Sequence, residues 1–248
     1  MGETGLSSRR TRWRRHRSLR ISLFRLTIFE SPIRGALLVV SAAMRHGALQ
    51  NLEKLKIHIS AGGGKDVREL MDALKASGCA RRLKNICLQN CEVVVDGIRT
   101  FADLLGEDGF PALKELRLSD DPGIKDVGVE LLAEGLVKAM TTYLTVLDLD
   151  DVGMGDKGIA ALASLVSQGR LKQLVDLNLR GNGDVTNQGI ISFAKAIGAH
   201  GLPRLEEIEM RGLDNRKVTA LGISALAHAI NYKRESNPEF FCHNERGG

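Results

Sequence analysis

The chain has 248 residues, a formal net charge of +5, 43% hydrophobic residues, 26% charged residues and only 4% aromatics. These proportions fit a globular chain with an aliphatic core and argue against a disordered or fibrous one. No apolar run approaches the roughly 20 residues that cross a bilayer, so no membrane contact is expected.

The amino-terminal segment, residues 1–20, holds arginines 9, 10, 12, 14, 15, 17 and 20 against the single acid Glu3, a local charge of +6. The remainder of the chain is therefore close to neutral, at −1. The segment reads as a basic arm expected to be disordered, able to touch acidic partners or nucleic-acid phosphates weakly. It lacks the apolar stretch of a secretory signal. The expected location is cytoplasmic, or nuclear if the arm serves as an import signal.

From residue 21 the pattern changes. Six blocks of the form L-x-x-L-x-L begin at Leu52, Leu83, Leu113, Leu144, Leu174 and Leu205, separated by 31, 30, 31, 30 and 31 positions. Each block predicts a short strand, because alternate residues share one face. Subtracting 31 from Leu52 gives a weaker seventh copy at Ile21, Phe24 and Leu26, with its helix opening at Gly35.

A second series runs in phase. Gly97-Ile98, Gly128-Val129, Gly158-Ile159, Gly189-Ile190 and Gly222-Ile223 each lead into a Leu or Phe and then an Ala, the spacing that predicts one stripe of an amphipathic helix. The last interval is two residues longer, through an insertion near Asn215. Asp126, Asp156 and Asn187, just ahead of their glycines, are expected to cap the helices they open. A period near 30 residues is the mark of a stacked array whose units bury their apolar faces on one another. Residues 21–235 form the expected array of about seven repeats; residues 236–248, with Pro238, Phe240 and Phe241, are expected to be a tail or partial cap.

The units resemble leucine-rich repeats of the ribonuclease-inhibitor-like subfamily, whose strand signature is L-x-x-L-x-L-x-x-[NC]. Cys91 and Asn182 fill the ninth place, while Ser60, Asp121, Val152 and Leu213 depart from it. The resemblance implies an α/β solenoid, a horseshoe with a parallel β-sheet inside and helices outside. The same repeat serves inhibitors, immune receptors and GTPase activators.

Chemistry-bearing motifs are few. Gly62-Gly63-Gly64-Lys65 lacks the leading glycine and the Ser or Thr of a phosphate loop. Cysteines 79, 87, 91 and 242 have no zinc spacing, and reduced thiols are expected. The Asp-rich stretches at 120–121 and 148–151 lack the glycine and terminal glutamate of a calcium loop. No catalytic residue, cofactor or metal is expected.

Strand alternation instead points to a binding face. The third, fifth and seventh residues of each block face the concavity. The candidate partner-binding residues there are Glu115, Arg117, Asp148, Asp150, Asp176, Asn178, Arg180, Glu207, Glu209 and Arg211. The lining runs from basic (Lys54, Lys56, His58) to acidic with interspersed arginines, so a protein partner is expected on the acidic half. The expected function is a non-enzymatic protein-interaction module of inhibitor, scaffold or sensor type. Two alternatives stay open: a GTPase-activating protein resembling the Ran activators, and a fragment of a nucleotide-binding immune receptor.

Overall fold

The computed structural model describes residues 23–28, 36–59, 66–140, 142–214 and 216–234. The arginine-rich arm, the glycine run at 62–64 and the tail from 235 onward lie outside them.

Seven strands and seven α-helices alternate along the described chain. The strands are β1 (Leu23–Ile28), β2 (Lys54–Ile59), β3 (Asn85–Gln89), β4 (Glu115–Ser119), β5 (Val146–Asp148), β6 (Asp176–Asn178) and β7 (Glu207–Glu209). The helices are α1 (Ala36–Arg45), α2 (Asp66–Ser77), α3 (Val95–Gly106), α4 (Lys125–Lys138), α5 (Asp156–Ser167), α6 (Asn187–His200) and α7 (Ala220–Arg234). All strands pair in parallel in sequence order, β1 to β7.

The register follows the sequence period. Phe24, Leu55, Ile86, Leu116, Leu147, Leu177 and Ile208 stand side by side across the sheet. From Leu55 to Ile208 these side chains are at most 2% exposed, a dry ladder shared by six repeats. Burial of this kind supplies most of the favourable free energy of folding. The weak first unit enters in the expected strand register. Leu37, Val40 and Met44 are buried in α1 at the spacing of Val67, Leu70 and Leu74 in α2, and Gly35, expected to open the helix, lies outside the described residues.

Behind the ladder the chain must turn from strand to helix, and from the third repeat to the seventh a left-handed residue stands at the strand exit. Asn90, Asp120, Asp151, Gly181 and Gly212 all have φ between 49° and 75°. Asn, Asp and Gly are the residues that enter this region at least cost.

The ninth place shows a departure from the sequence expectation. Asn182 is fully buried; its Oδ1 accepts from the N–H groups of Val152 (3.3 Å) and Met154 (3.0 Å). Its amide donates to the carbonyls of Leu149 and Leu179 at 2.8 and 2.9 Å. Asp121, read as a lost signature, does half of this work. Its carboxylate accepts from Cys91 N at 3.2 Å and Val93 N at 3.0 Å, with 1% of the residue exposed. Burial pushes its carboxyl up to about 6, against the pull of those backbone hydrogen bonds. Cys91 sits in the same layer, and burial pushes its thiol well above the usual range.

The helix starts hold a second correction. Asp126 does not cap α4. It reaches forward, and its Oδ1 accepts from Gly155 N (2.8 Å) and Gly158 N (2.7 Å) at the opening of α5. Asp156 accepts from Thr186 N and Thr186 Oγ1 ahead of α6, at 2.7 and 2.6 Å. Asn187 accepts from Thr219 N and Gly222 N at the start of α7, at 3.0 and 3.1 Å. Each side chain thus caps the next repeat. The periodic glycine follows from this: a Cβ on Gly189 would sit 2.4 Å from Asp156 Oδ1, and one on Gly222 would sit 2.6 Å from Asn187 Oδ1.

Two outcomes check this frame. Asp156→Ala leaves Thr186, the N-cap residue of α6, without the acceptor for its N–H and hydroxyl, and urea denaturation should show a loss of about 1–2 kcal/mol. Asp121→Asn should act in the opposite direction. The aspartate titrates higher folded than unfolded, so wild type loses stability as pH rises from about 4 through its folded value near 6. The variant should be more stable at pH 7, by roughly 1–3 kcal/mol, and the difference should vanish toward pH 4 in denaturation at several pH values.

Candidate interaction surface

The concave side is built from three rows, because residues two apart on one strand share a face. The first row carries Lys54, Asn85, Glu115, Val146, Asp176 and Glu207. The second carries Arg25, Lys56, Cys87, Arg117, Asp148, Asn178 and Glu209. The third begins with Thr27, His58, Gln89 and Ser119. Strands β5 to β7 stop after three residues, so Asp150, Arg180 and Arg211, expected on strands, lie in the turns that follow. All ten predicted residues nevertheless fall on four neighbouring repeats of one sheet face or its rim.

Most of the arginines are already paired. Arg117 contacts Asp148 at 3.4 Å and Glu115 at 4.0 Å. Arg180 approaches Asp150 at 3.9 Å, and Arg211 donates to Glu209 at 2.8 Å. Three second-row residues also hold their own strand end: Asp148, Asn178 and Glu209 accept from the N–H groups of Asp150, Arg180 and Arg211 at 3.2, 3.0 and 3.1 Å. Asp148 is only 8% exposed, not the open, solvated carboxylate expected from strand alternation. Gln89, in the third row, donates to Asp120 of the next repeat at 2.7 Å.

The exceptions are Asp176 and Glu207, which make no hydrogen bond or ion pair through their side chains with another described residue. Burial raises the Asp176 carboxyl above its ordinary value; Arg117 works against the rise, while Glu207, Asp148 and Glu115 add to it. Asp150 is raised likewise, by burial first and then by Asp148, Asp120 and Asp151, with Arg180 opposing. Burial also pushes Glu209 upward, but its hydrogen bonds from Arg211 outweigh that and hold it below the usual range. Around Asp176, the carboxylates of Glu115, Asp148 and Glu207 outnumber the one opposing arginine, Arg117, and leave a local excess of negative charge.

Among the described residues no group of three or more His, Cys, Asp or Glu side chains is placed to hold a metal ion. Cys79, Cys87 and Cys91 are unbridged. No described helix is long and apolar enough to cross a membrane.

Arg117→Gln should test the electrostatics of the face. Asp176 is harder to ionise folded than unfolded, and Arg117 offsets that cost at neutral pH. The variant should lose about 0.5–1 kcal/mol at pH 7, and the loss should shrink as pH falls through the carboxylate range, read by thermal or urea unfolding.

Comparison with known proteins agrees with this geometry. A leucine-rich repeat family model matches residues 142–163 and 173–194, two stretches that each carry one strand block and the following helix start. Among solved structures, the actin-binding site 2 of leiomodin-1 is similar, with a TM-score of 0.51 over 72% of this chain and 96% of that one, at 15% identity. No curated protein matches the chain in sequence. With the period, the in-register parallel sheet and the match over two repeats together, the chain folds as an α/β solenoid of the leucine-rich-repeat kind.

Proposed function

We propose that the chain is a non-enzymatic protein-interaction module whose concave sheet takes a partner on its acidic half. The observation that supports this is the pair Asp176 and Glu207, charged and unpaired among partnered neighbours on adjacent strands. A surface with excess negative charge steers a partner that presents lysines or arginines, and fixes its orientation more than it sets raw affinity. Asp150, Asn178, Arg180, Glu209 and Arg211 would frame that contact, with Glu115, Arg117 and Asp148 behind it. Inhibitor, scaffold and sensor roles all use such a surface.

The outer elements α2 to α7 are true α-helices of 12 to 15 residues, which supports the ribonuclease-inhibitor-like kind of repeat. Unbridged cysteines support residence in a reducing compartment such as the cytoplasm. The leiomodin-1 neighbour is an actin-binding site; at 15% identity it shares fold alone, so actin serves as a defined first probe rather than an assignment.

Affinity capture from lysate with the full chain, alongside Asp176→Lys combined with Glu207→Lys, tests the proposal. The captured partner should bind the double variant at least about tenfold more weakly, with the change largest at low salt. Unchanged affinity would remove the concave face from consideration. Acceleration of GTP hydrolysis by small GTPases would overturn the non-enzymatic reading.

A further inference from the structure

The charges on the concave face divide into those already compensated within the chain and those that are not. Arg117 lies against Glu115 and Asp148, Arg180 against Asp150, and Arg211 against Glu209. Asp176 of β6 and Glu207 of β7 have no such partner. Lys54 and Lys56 of β2 are their counterparts in sign. Neither lysine side chain makes a hydrogen bond or ion pair with another described residue. Lys54 is exposed and Lys56 half-buried, and, two apart on one strand, they share a face.

The register puts these groups on one line. Lys54 stands in the same row as Asp176 and Glu207. Between them, in the first two rows, come Asn85, Cys87 and Val146, and the mutually paired Glu115, Arg117 and Asp148. Four strand steps separate β2 from β6 and five separate it from β7, about 19 and 24 Å at the usual strand spacing. Salt screens charges over about 8 Å at physiological ionic strength, so the two poles do not neutralise each other. A nucleic acid or other uniform polyanion suits this face poorly, because past β4 it would lie over Asp176 and Glu207. A uniformly basic segment meets the reverse obstacle at Lys54 and Lys56. Charge complementarity at both poles requires both signs in one partner.

We infer that the concave face takes a bipolar protein segment, with acidic residues over Lys54 and Lys56 and lysines or arginines over Asp176 and Glu207. Bipolar binding rests on the concave-face contact proposed above, and adds to it a second anchor and a fixed orientation. An α-helix of about fourteen residues spans the distance between the poles. Acidic residues at its amino end and basic ones at its carboxy end are the order that the helix dipole favours.

Helical peptides provide the probe: blocks of about four glutamates and four lysines separated by about ten alanines, beside peptides with lysines at both ends or glutamates at both ends. Binding to the full chain is read by fluorescence anisotropy at low salt. The bipolar peptide should bind roughly tenfold or more tightly than either uniform one. Lys54→Glu combined with Lys56→Glu should weaken it roughly tenfold and shift preference to the lysine-ended peptide. Asp176→Lys combined with Glu207→Lys should weaken it as much, with preference for the glutamate-ended peptide. All four substitutions together should restore the bipolar peptide to within about threefold, lying the other way round. Weakening by the Asp176 and Glu207 exchange alone, with the lysine exchange silent, would overturn the bipolar partner and leave the acidic-half contact standing. Equal binding by all variants would overturn both. Tighter binding of the glutamate-ended peptide, or of single-stranded oligodeoxythymidine, to the wild-type chain would overturn it in favour of a polyanion. Salt-sensitive dimers in sedimentation that the lysine exchange dissolves would overturn it in favour of a second copy.

Discussion

The first N–H groups of an α-helix have no partner within the helix, and at α5 and α7 a partner is supplied by the repeat before. Asp126, Asp156 and Asn187 each sit in the first turn of their own helix and extend a carboxylate or amide oxygen to the opening of the next. The opposite end shows the same logic. Arg170 donates from Nε to the carbonyl of Leu136 at 3.0 Å, and also to that of Ala139, closing the end of α4 from the following repeat. One backbone carbonyl per repeat, at Glu53, Lys84, Lys114, Thr145 and Val175, accepts two N–H groups from the next strand entrance. A single repeat therefore contains several polar groups that only a neighbour can satisfy, beside an apolar face that only a neighbour can bury.

This dependence constrains the surface on which a partner would sit. The register that places Leu55 beside Ile86 and Leu116 also places Lys54 beside Asn85 and Glu115. Core and lining are two faces of one ladder, so their spacing cannot vary independently. The acidic excess near Asp176 is held by a rigid sheet rather than by loops, and its geometry is set before any partner arrives. Arg180 and Arg211 differ, since they stand in turns just beyond short strands.

Much of this was legible in the sequence, and the reasons separate cleanly. The strand blocks and the glycine-led helices were readable because burial enforces a side-chain type at a fixed interval, as with Leu147 and Ile159. The concave rows followed from alternation alone. Hydrogen-bond direction was not readable: nothing in the spacing of Asp156 and Gly189 distinguishes a cap on its own helix from one on the next. Asp121 was missed because a carboxylate keeps the acceptor half of the asparagine's role and loses only the donor half. The partial burial of Asp148 was missed because its partner, Arg117, lies 31 residues away. A signal for the strand exits was present and unread: Asn90, Asp120, Asp151, Gly181 and Gly212 recur with the period of the leucines.

The forward reach of the caps gives the array a polarity. Detaching the last repeat strands Asn187, whose oxygen and amide water can then hydrate at little cost. Melting a repeat in the middle strips the N–H groups of the one after it, which must also open or leave donors unmet. Thermal fraying should thus recede from the carboxy-terminal end inward, and an amino-terminal break should spread outward, so the two ends of the arc are not equivalent places at which to pull it apart.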